Sequence, residues 1–258
     1  MRPIYNYHTH TTRCGHAFGS DEDYVRTAIR AGFKVLGFSD HAPFRTVSNK
    51  RSRMDWDEFD GYVADLKILQ EKYKDQIRIL IGLESEYYPI YHEERLELKQ
   101  KLDFMILGQH NINLTGSSYF RLNTEEEIID YAKDICTALD TGMFLYLAHP
   151  DVIMTRQEDF TPACEEAAHL IGKKCAETHT PVEINVHGLI RGRQIFPRGE
   201  CYFYPHREFW KILAQYPVKA LIGIDAHDPD QLLDTASIDL ALADLDDLGL
   251  DILTEPIL

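Results

Sequence analysis

Cysteine is scarce in this 258-residue chain: there are five, an odd number, at Cys14, Cys136, Cys164, Cys175 and Cys201, and no two form a C-x-x-C pair. That spacing argues against a disulfide framework and against a zinc ribbon, and makes a reducing cytoplasm the expected setting. No stretch approaches the roughly 20 apolar residues of a membrane span, so no membrane partner is expected. The start lacks the basic-then-apolar pattern of a secretory leader, and none is expected. Positive charge is also short: 27 Lys and Arg face 42 Asp and Glu, a formal net charge of −15. Nonspecific nucleic-acid binding needs a basic footprint, so no nucleic-acid partner is expected. A small anionic substrate stays possible if the site carries its own cations. No Pro/Gly/Ser-rich linker or low-complexity run divides the chain, which reads as one domain over 1–258. That length buries a large core without disulfides.

What is present is a regular alternation. Apolar runs at Ile4–His10, Val35–Phe38, Ile77–Leu83, Phe104–Leu107, Phe144–Ala148, Val182–Val186 and Ala220–Ile224 read as strands, with a further extended piece at Asp251–Leu253. Helical patterns lie between them. The first starts at Ser20-Asp21-Glu22-Asp23, a capping-box pattern, carries a stripe of Tyr24, Val25, Ala28 and Ile29, and stops at Gly32. Others are expected at Trp56–Tyr73, Glu93–Gln100, Thr124–Leu139, Pro162–Thr178, His206–Gln215 and Pro229–Leu245. Near-continuous apolar strands are buried on both faces, as in a parallel sheet. A closed barrel and an open doubly wound sheet both fit this order.

The strand ends favour the barrel. In order they carry His8-Thr9-His10, Ser39-Asp40-His41, Gly82-Leu83-Glu84-Ser85-Glu86, Gly108-Gln109-His110, Ala148-His149-Pro150, Glu183-Ile184-Asn185-Val186-His187 and Asp225-Ala226-His227. Each delivers a His, Asp or Glu at its carboxyl end, and a parallel barrel gathers those ends on one face. Imidazole with carboxylate suits zinc, manganese or iron. Residues i and i+2 of a strand face one side, so His8 with His10, and Asp225 with His227, can each bind one ion, while Glu84 can bridge two. A multinuclear metal site is expected. A lone histidine is usually structural, and His92, His169, His179 and His206 are read that way. His187 follows a strand but has no partner at metal spacing.

Taken together, H-T-H, the later His16, S-D-H, G-L-E, the isolated His110, A-H-P and D-A-H resemble the PHP (polymerase and histidinol phosphatase) family, in the family's order from His8 to His227. The stretch HTHTTRCGHAFGSDEDYVRTAIRAGFKVLGFSDHAPF is most similar to the stand-alone histidinol-phosphate phosphatases of that family. The resemblance implies a distorted TIM-like (β/α)7 barrel holding two to three divalent metal ions. It implies that His8, His10, Glu84 and Asp225 hold a first metal. Glu84, His110 and His149 would hold a second, and His16, His41 and His227 a third. It further implies a cytoplasmic phosphoric monoester hydrolase converting L-histidinol phosphate to L-histidinol and phosphate in histidine biosynthesis. Asp225, His227 and Glu84 would serve catalysis, with a metal-bridging hydroxide attacking phosphorus.

Basic residues support an anionic substrate. Residues 42–54 hold Arg45, Lys50, Arg51 and Arg53 and no acid, and residues 186–207 hold Arg191, Arg193, Arg198 and Arg207 against Glu200 alone. A planar guanidinium donates two parallel hydrogen bonds to phosphate. Arg156 and Arg193 are the first choices as phosphate ligands, with Arg191 behind them because the GLIRGR spacing leaves the register open. Asp40, Glu183 and His187 could protonate the leaving group or orient the substrate. Competing readings are a PHP phosphoesterase acting on nucleotides, oligonucleotide ends or phosphotyrosine, an amidohydrolase-type metal site, and a metal-bound regulatory module.

Overall fold

The computed structural model describes residues 2–114, 118–119 and 124–258. Parallel strands come first: β1 (Tyr5–Asn6), β2 (Val35–His41), β3 (Arg78–Ser85) and β4 (Phe104–Leu107) lie side by side in chain order. Tyr5 faces Val35, Val35 faces Arg78, and Gly82 faces Phe104. After β5 (Val182–Asn185) comes an antiparallel hairpin, β6 (Arg193–Phe196) and β7 (Gly199–Tyr202). The chain then rejoins the parallel sheet as β8 (Lys219–Gly223), flanked by β5 and by β9 (Asp251–Ile252). Around the strands lie α1 (Asp21–Ala31), α2 (Phe59–Tyr73), α3 (His92–Lys99), α4 (Glu125–Leu139), α5 (Pro162–Thr178), α6 (Arg207–Leu213) and α7 (Thr235–Leu245).

Local chemistry sets the helix limits. At α1 the Ser20 hydroxyl accepts from the Asp23 N–H while the Asp23 carboxylate accepts from the Ser20 N–H, and Gly32 ends the helix in the left-handed region at φ +88°. Thr124 and Glu127 repeat the box at α4. The helix expected over Pro229–Leu245 is instead a 3-10 turn, Pro229–Leu233, and then α7, because the Asp234 side chain accepts from the Ser237 N–H and starts a new helix. Among the described residues no helix is long and apolar enough to cross a membrane.

The expected strand Phe144–Ala148 forms only single-residue parallel bridges, Leu147 to Leu107 and Leu147 to Val182. Its backbone still bonds on both sides: Ala148 N–H to Leu107 O at 2.8 Å, and Leu147 N–H to Pro181 O at 3.0 Å. Pro181 offers a carbonyl but no N–H, which stops a ladder there. At the other margin Thr9, just past β1, bridges to Ala226, just past β8, so the parallel sheet curls until the carboxyl ends of these two strands meet. Neighbouring strand residues alternate between two cores. Leu36, Ile79, Ile81 and Met105 join the large one under the helices, while Val35, Leu80, Phe104 and Ile106 join a smaller one with Tyr5, Tyr7 and Tyr146.

Candidate active site

Where the curled sheet meets itself, two dipeptide-spaced pairs are zipped together. The Ala226 N–H donates to His8 O at 3.1 Å, and the His10 N–H donates to Ala226 O at 2.9 Å. His8 and His10 therefore stand beside Asp225 and His227, as period-two alternation on neighbouring strands requires. Asp225 Oδ1 lies 3.4 Å from His8 Nε2 and 3.1 Å from His10 Nε2. Asp225 (φ +55°) and His149 (φ +27°) both hold positive-φ backbones. Such strain in non-glycine residues gathers at functional sites.

Glu84, at the end of β3, joins the parts. Its Oε2 lies 3.5 Å from Nε2 of both His8 and His10 and 3.1 Å from His41 Nδ1. Its Oε1 lies 2.8 Å from His149 Nε2 and 3.2 Å from His110 Nε2. Gly108 makes room, since a Cβ there would sit 2.0 Å from Glu84 Oε1. A third group lies outward, where His16 Nε2 and His227 Nε2 face each other at 3.1 Å with His41 alongside. Nδ1 of His16 donates to Cys14 O at 2.9 Å and Nδ1 of His227 to Asp225 O at 3.0 Å, which turns both Nε2 lone pairs toward one point.

Electrostatics sort these groups. Burial opposes charge on Glu84 and Asp225, yet the surrounding histidines hold both carboxyls well below the usual range. Burial also lowers His8 and His10, but the carboxylates outweigh it: His8 is held well above its ordinary value and His10 at about 9. His41 is pressed down to about 4 and His227 to about 2, by burial first and then by charge on His10.

The donor set fits cations. Buried atoms without a hydrogen-bond partner include His8 Nε2, His10 Nε2, Glu84 Oε2 and Asp225 Oδ1, all turned to the same centre. Leaving such atoms unpaired is costly, and a metal ion would engage them. Donor atoms mutually within 4.8 Å occur in His8–His10–Asp225, His8–Glu84–His149 and His16–His41–His227. Cys14 forms a further group with His10 and His227, a donor the sequence reading passed over.

The cluster opens on a cavity of about 420 Å³. Arg191 lines it, hydrogen-bonded to Tyr204. Arg193 does not: it pairs with Asp244, donates to Glu200 O at 3.1 Å and lies over the Tyr202 ring. Arg156 sits at the exposed end of the Val152–Arg156 turn and is not among the lining residues. The register of the loop, which sequence periodicity could not set, points Arg191 inward and Arg193 outward. Arg53 also lines the cavity but is buried in a bidentate pair with Glu86, both contacts at 2.9 Å, and Asn111 donates to the same carboxylate. Of the three groups considered for the leaving group, His187 alone lines the cavity. Asp40 accepts from Thr11 and from the His41 N–H behind His10, and Glu183 lies fully buried behind His8.

The histidines set aside as structural have other partners or places. His92 meets the Tyr87 hydroxyl at 3.0 Å, His169 the Tyr216 hydroxyl at 2.9 Å, and His206 the Cys201 thiol at 3.5 Å. His179 ends α5 with a left-handed backbone.

Comparison with known proteins follows the same lines. A protein named "Probable histidinol-phosphatase" from Deinococcus radiodurans is 24% identical over 90% of this chain and 89% of its own length. One of the same name from Schizosaccharomyces pombe is 25% identical over 87% of this chain and 81% of its own. The structure of histidinol phosphate phosphatase from Lactococcus lactis, complexed with zinc, L-histidinol and phosphate, superposes with a TM-score of 0.73 at 20% identity, covering 96% of this chain and 95% of that one. A model of the PHP domain matches residues 6–187, a span that takes in every clustered residue but Asp225 and His227. Those two are brought to the rest by the closing zip at Ala226, and the chain belongs to the PHP domain family.

Proposed function

We propose that this chain is a metal-dependent phosphomonoesterase that hydrolyses L-histidinol phosphate to L-histidinol and phosphate, a cytoplasmic step of histidine biosynthesis. It is a hydrolase of the phosphoric monoester class. The observation that carries the reading is the buried set of imidazoles around Glu84 and Asp225, opening on a cavity with Arg191 in its wall. The substrate is supported by the names of the two relatives and by the ligands of the Lactococcus lactis structure.

On this reading the fold is a distorted (β/α)7 barrel over the single domain 1–258, with residues 144–148 as its irregular fifth stave. His8, His10, Glu84 and Asp225 would hold one ion, Glu84, His110 and His149 another, and His16, His41 and His227 a third. Bound ions, whether zinc, manganese or iron, supply a water of lowered pKa and positive charge for the phosphoryl oxygens. Glu84, with one oxygen facing His8 and His10 and the other facing His110 and His149, would serve both inner positions. Arg191 presents its guanidinium to the phosphate, with Tyr204 fixing its direction. Arg53 stays with Glu86 as part of the wall. Of the three groups considered for the leaving oxygen, His187 is the one on the cavity face.

The test is to purify the protein from manganese-supplemented cells and measure metal content together with phosphate release. The panel is L-histidinol phosphate, phosphotyrosine, nucleoside monophosphates and p-nitrophenyl phosphate. Strong preference for L-histidinol phosphate, lost in His10→Ala, is expected. Bound metal with equal, weak release from every substrate would overturn the substrate, and activity without metal would overturn the metal dependence.

A further inference from the structure

One strand behind the cluster touches several of its members at once. Glu183, on β5, is fully buried. Its Oε1 accepts from His8 Nδ1 at 2.8 Å and from the Tyr146 hydroxyl at 3.4 Å. Its Oε2 accepts from the His149 N–H at 3.2 Å and from Asn185 Nδ2 at 3.1 Å. Asn185 Nδ2 also reaches Asp225 Oδ2 at 3.1 Å. Residues i and i+2 of a strand share a face, so V-E-I-N turns both side chains to the centre.

The fold is cut to fit this pair. Gly223 lies across from Asn185 in the ladder, and a Cβ there would stand 1.6 Å from Glu183 Oε1. The two strained candidate ligands, His149 and Asp225, are the ones held, the first by its N–H and the second by its carboxylate. With Nδ1–H given to Glu183, Nε2 is the nitrogen of His8 turned to Glu84 and Asp225, the one left for an ion in exchange for its proton. The outer trio is built otherwise: His16 and His227 are oriented by backbone carbonyls. Among the described residues neither Glu183 nor Asn185 hydrogen-bonds to His16, His41 or His227.

We propose that Glu183 and Asn185 form one positioning unit, which fixes the tautomer of His8 and the placement of His149 and Asp225 and so sets the affinity of the inner metal positions alone. The proposal rests on the metal-dependent reading above. A carboxylate bonded to the far nitrogen of a ligating histidine orients the ring and raises its basicity, and losing such a partner typically weakens metal binding by about 10–100-fold.

The experiment uses the full chain, stripped of metal and titrated with Co²⁺ against a competing chelator, with visible absorption followed throughout. Glu183→Gln keeps the side-chain shape. Asn185→Leu keeps the Glu183 carboxylate and serves should the first variant fail to fold. Glu183→Gln is expected to weaken the inner equivalents by about 10–100-fold and to shift their visible bands, with the outer equivalent at wild-type affinity. Asn185→Leu is expected to weaken the same equivalents by less. Equal weakening of all equivalents, which a merely structural role would give, or no weakening, would overturn the proposal. Wild-type protein that binds no Co²⁺ would overturn the metal reading beneath it.

Discussion

His8 and His16 come from one short stretch of sequence and serve opposite ends of the site. His8 is wholly buried, bonded to the Glu183 carboxylate and turned toward Glu84 and Asp225. His16 is exposed, bonded to the Cys14 carbonyl and turned toward His227. A dication among carboxylates is largely neutralised and shielded from solvent. A dication among neutral imidazoles keeps its charge and stays open to water. On the proposed metal-dependent reading, the inner half would retain ions and the outer half would present positive charge to an incoming anion.

The comparison breaks most plainly at Asp225. Asp225→Ala is expected to lose more activity than the roughly 10–100-fold that an outer partner costs, together with inner metal, while circular dichroism shows the fold retained. A variant that keeps activity and metal would erase the inner half as a distinct unit. Acidity separates the halves next. His10, at about 9, and His8, held well above its ordinary value, carry protons near neutral pH that an ion must displace. Inner affinity is expected to rise up to about pH 9, by about tenfold per pH unit for each proton displaced. His41 at about 4 and His227 at about 2 are already neutral, so neither should add a pH dependence to the outer affinity between about pH 6 and about pH 8. Calorimetry in buffers of different ionisation enthalpy reads the protons directly, and equal release from both halves would remove the contrast.

Smaller effects sharpen it. Arg191→Ala removes a charged hydrogen bond, worth about 1.5–3 kcal/mol, and should raise KM for the phosphate substrate at least about tenfold with metal content unchanged. His16→Ala should drop the outer equivalent alone and lower phosphate release by less than Asp225→Ala does. Arg193→Ala, whose partners lie outside the cavity, should leave KM within about twofold. A large KM effect there would put the loop in another register.

Much of this was legible because the informative residues stand at strand ends. Period-two spacing placed His8 beside His10 and Asp225 beside His227, and the turn chemistry of Ser20, Asp23 and Gly32 bounded α1. The rest depended on partners far off in sequence. Nothing near Arg193 announces Asp244 on α7, and nothing near Arg53 announces Glu86, so the choice among arginines needed tertiary contacts. The stretch between the expected strand Val182–Val186 and the expected helix His206–Gln215, given no element from sequence, holds the β6–β7 hairpin, whose Pro197-Arg198-Gly199 turn was the overlooked signal. The fifth strand fell short on both sides: Pro181 lacks the N–H that the next rung to β5 needs, and toward β4 the rungs are offset, Leu145 N–H bonding to Met105 O but Leu107 N–H to Tyr146 O.

The zip at Ala226 also sets a schedule. His16 and His227 lie 211 positions apart, so a chain leaving the ribosome displays its first three histidines long before the last of their partners exists. At about 5–20 residues per second that interval lasts roughly 10–40 s. For that time the early imidazoles are loose ligands, open to whichever metal the cell offers. On the proposed reading, selection of the resident ions would therefore belong to the finished, closed protein, and synthesis in the presence of a tightly binding ion would be the moment at which it is most vulnerable to being wrongly loaded.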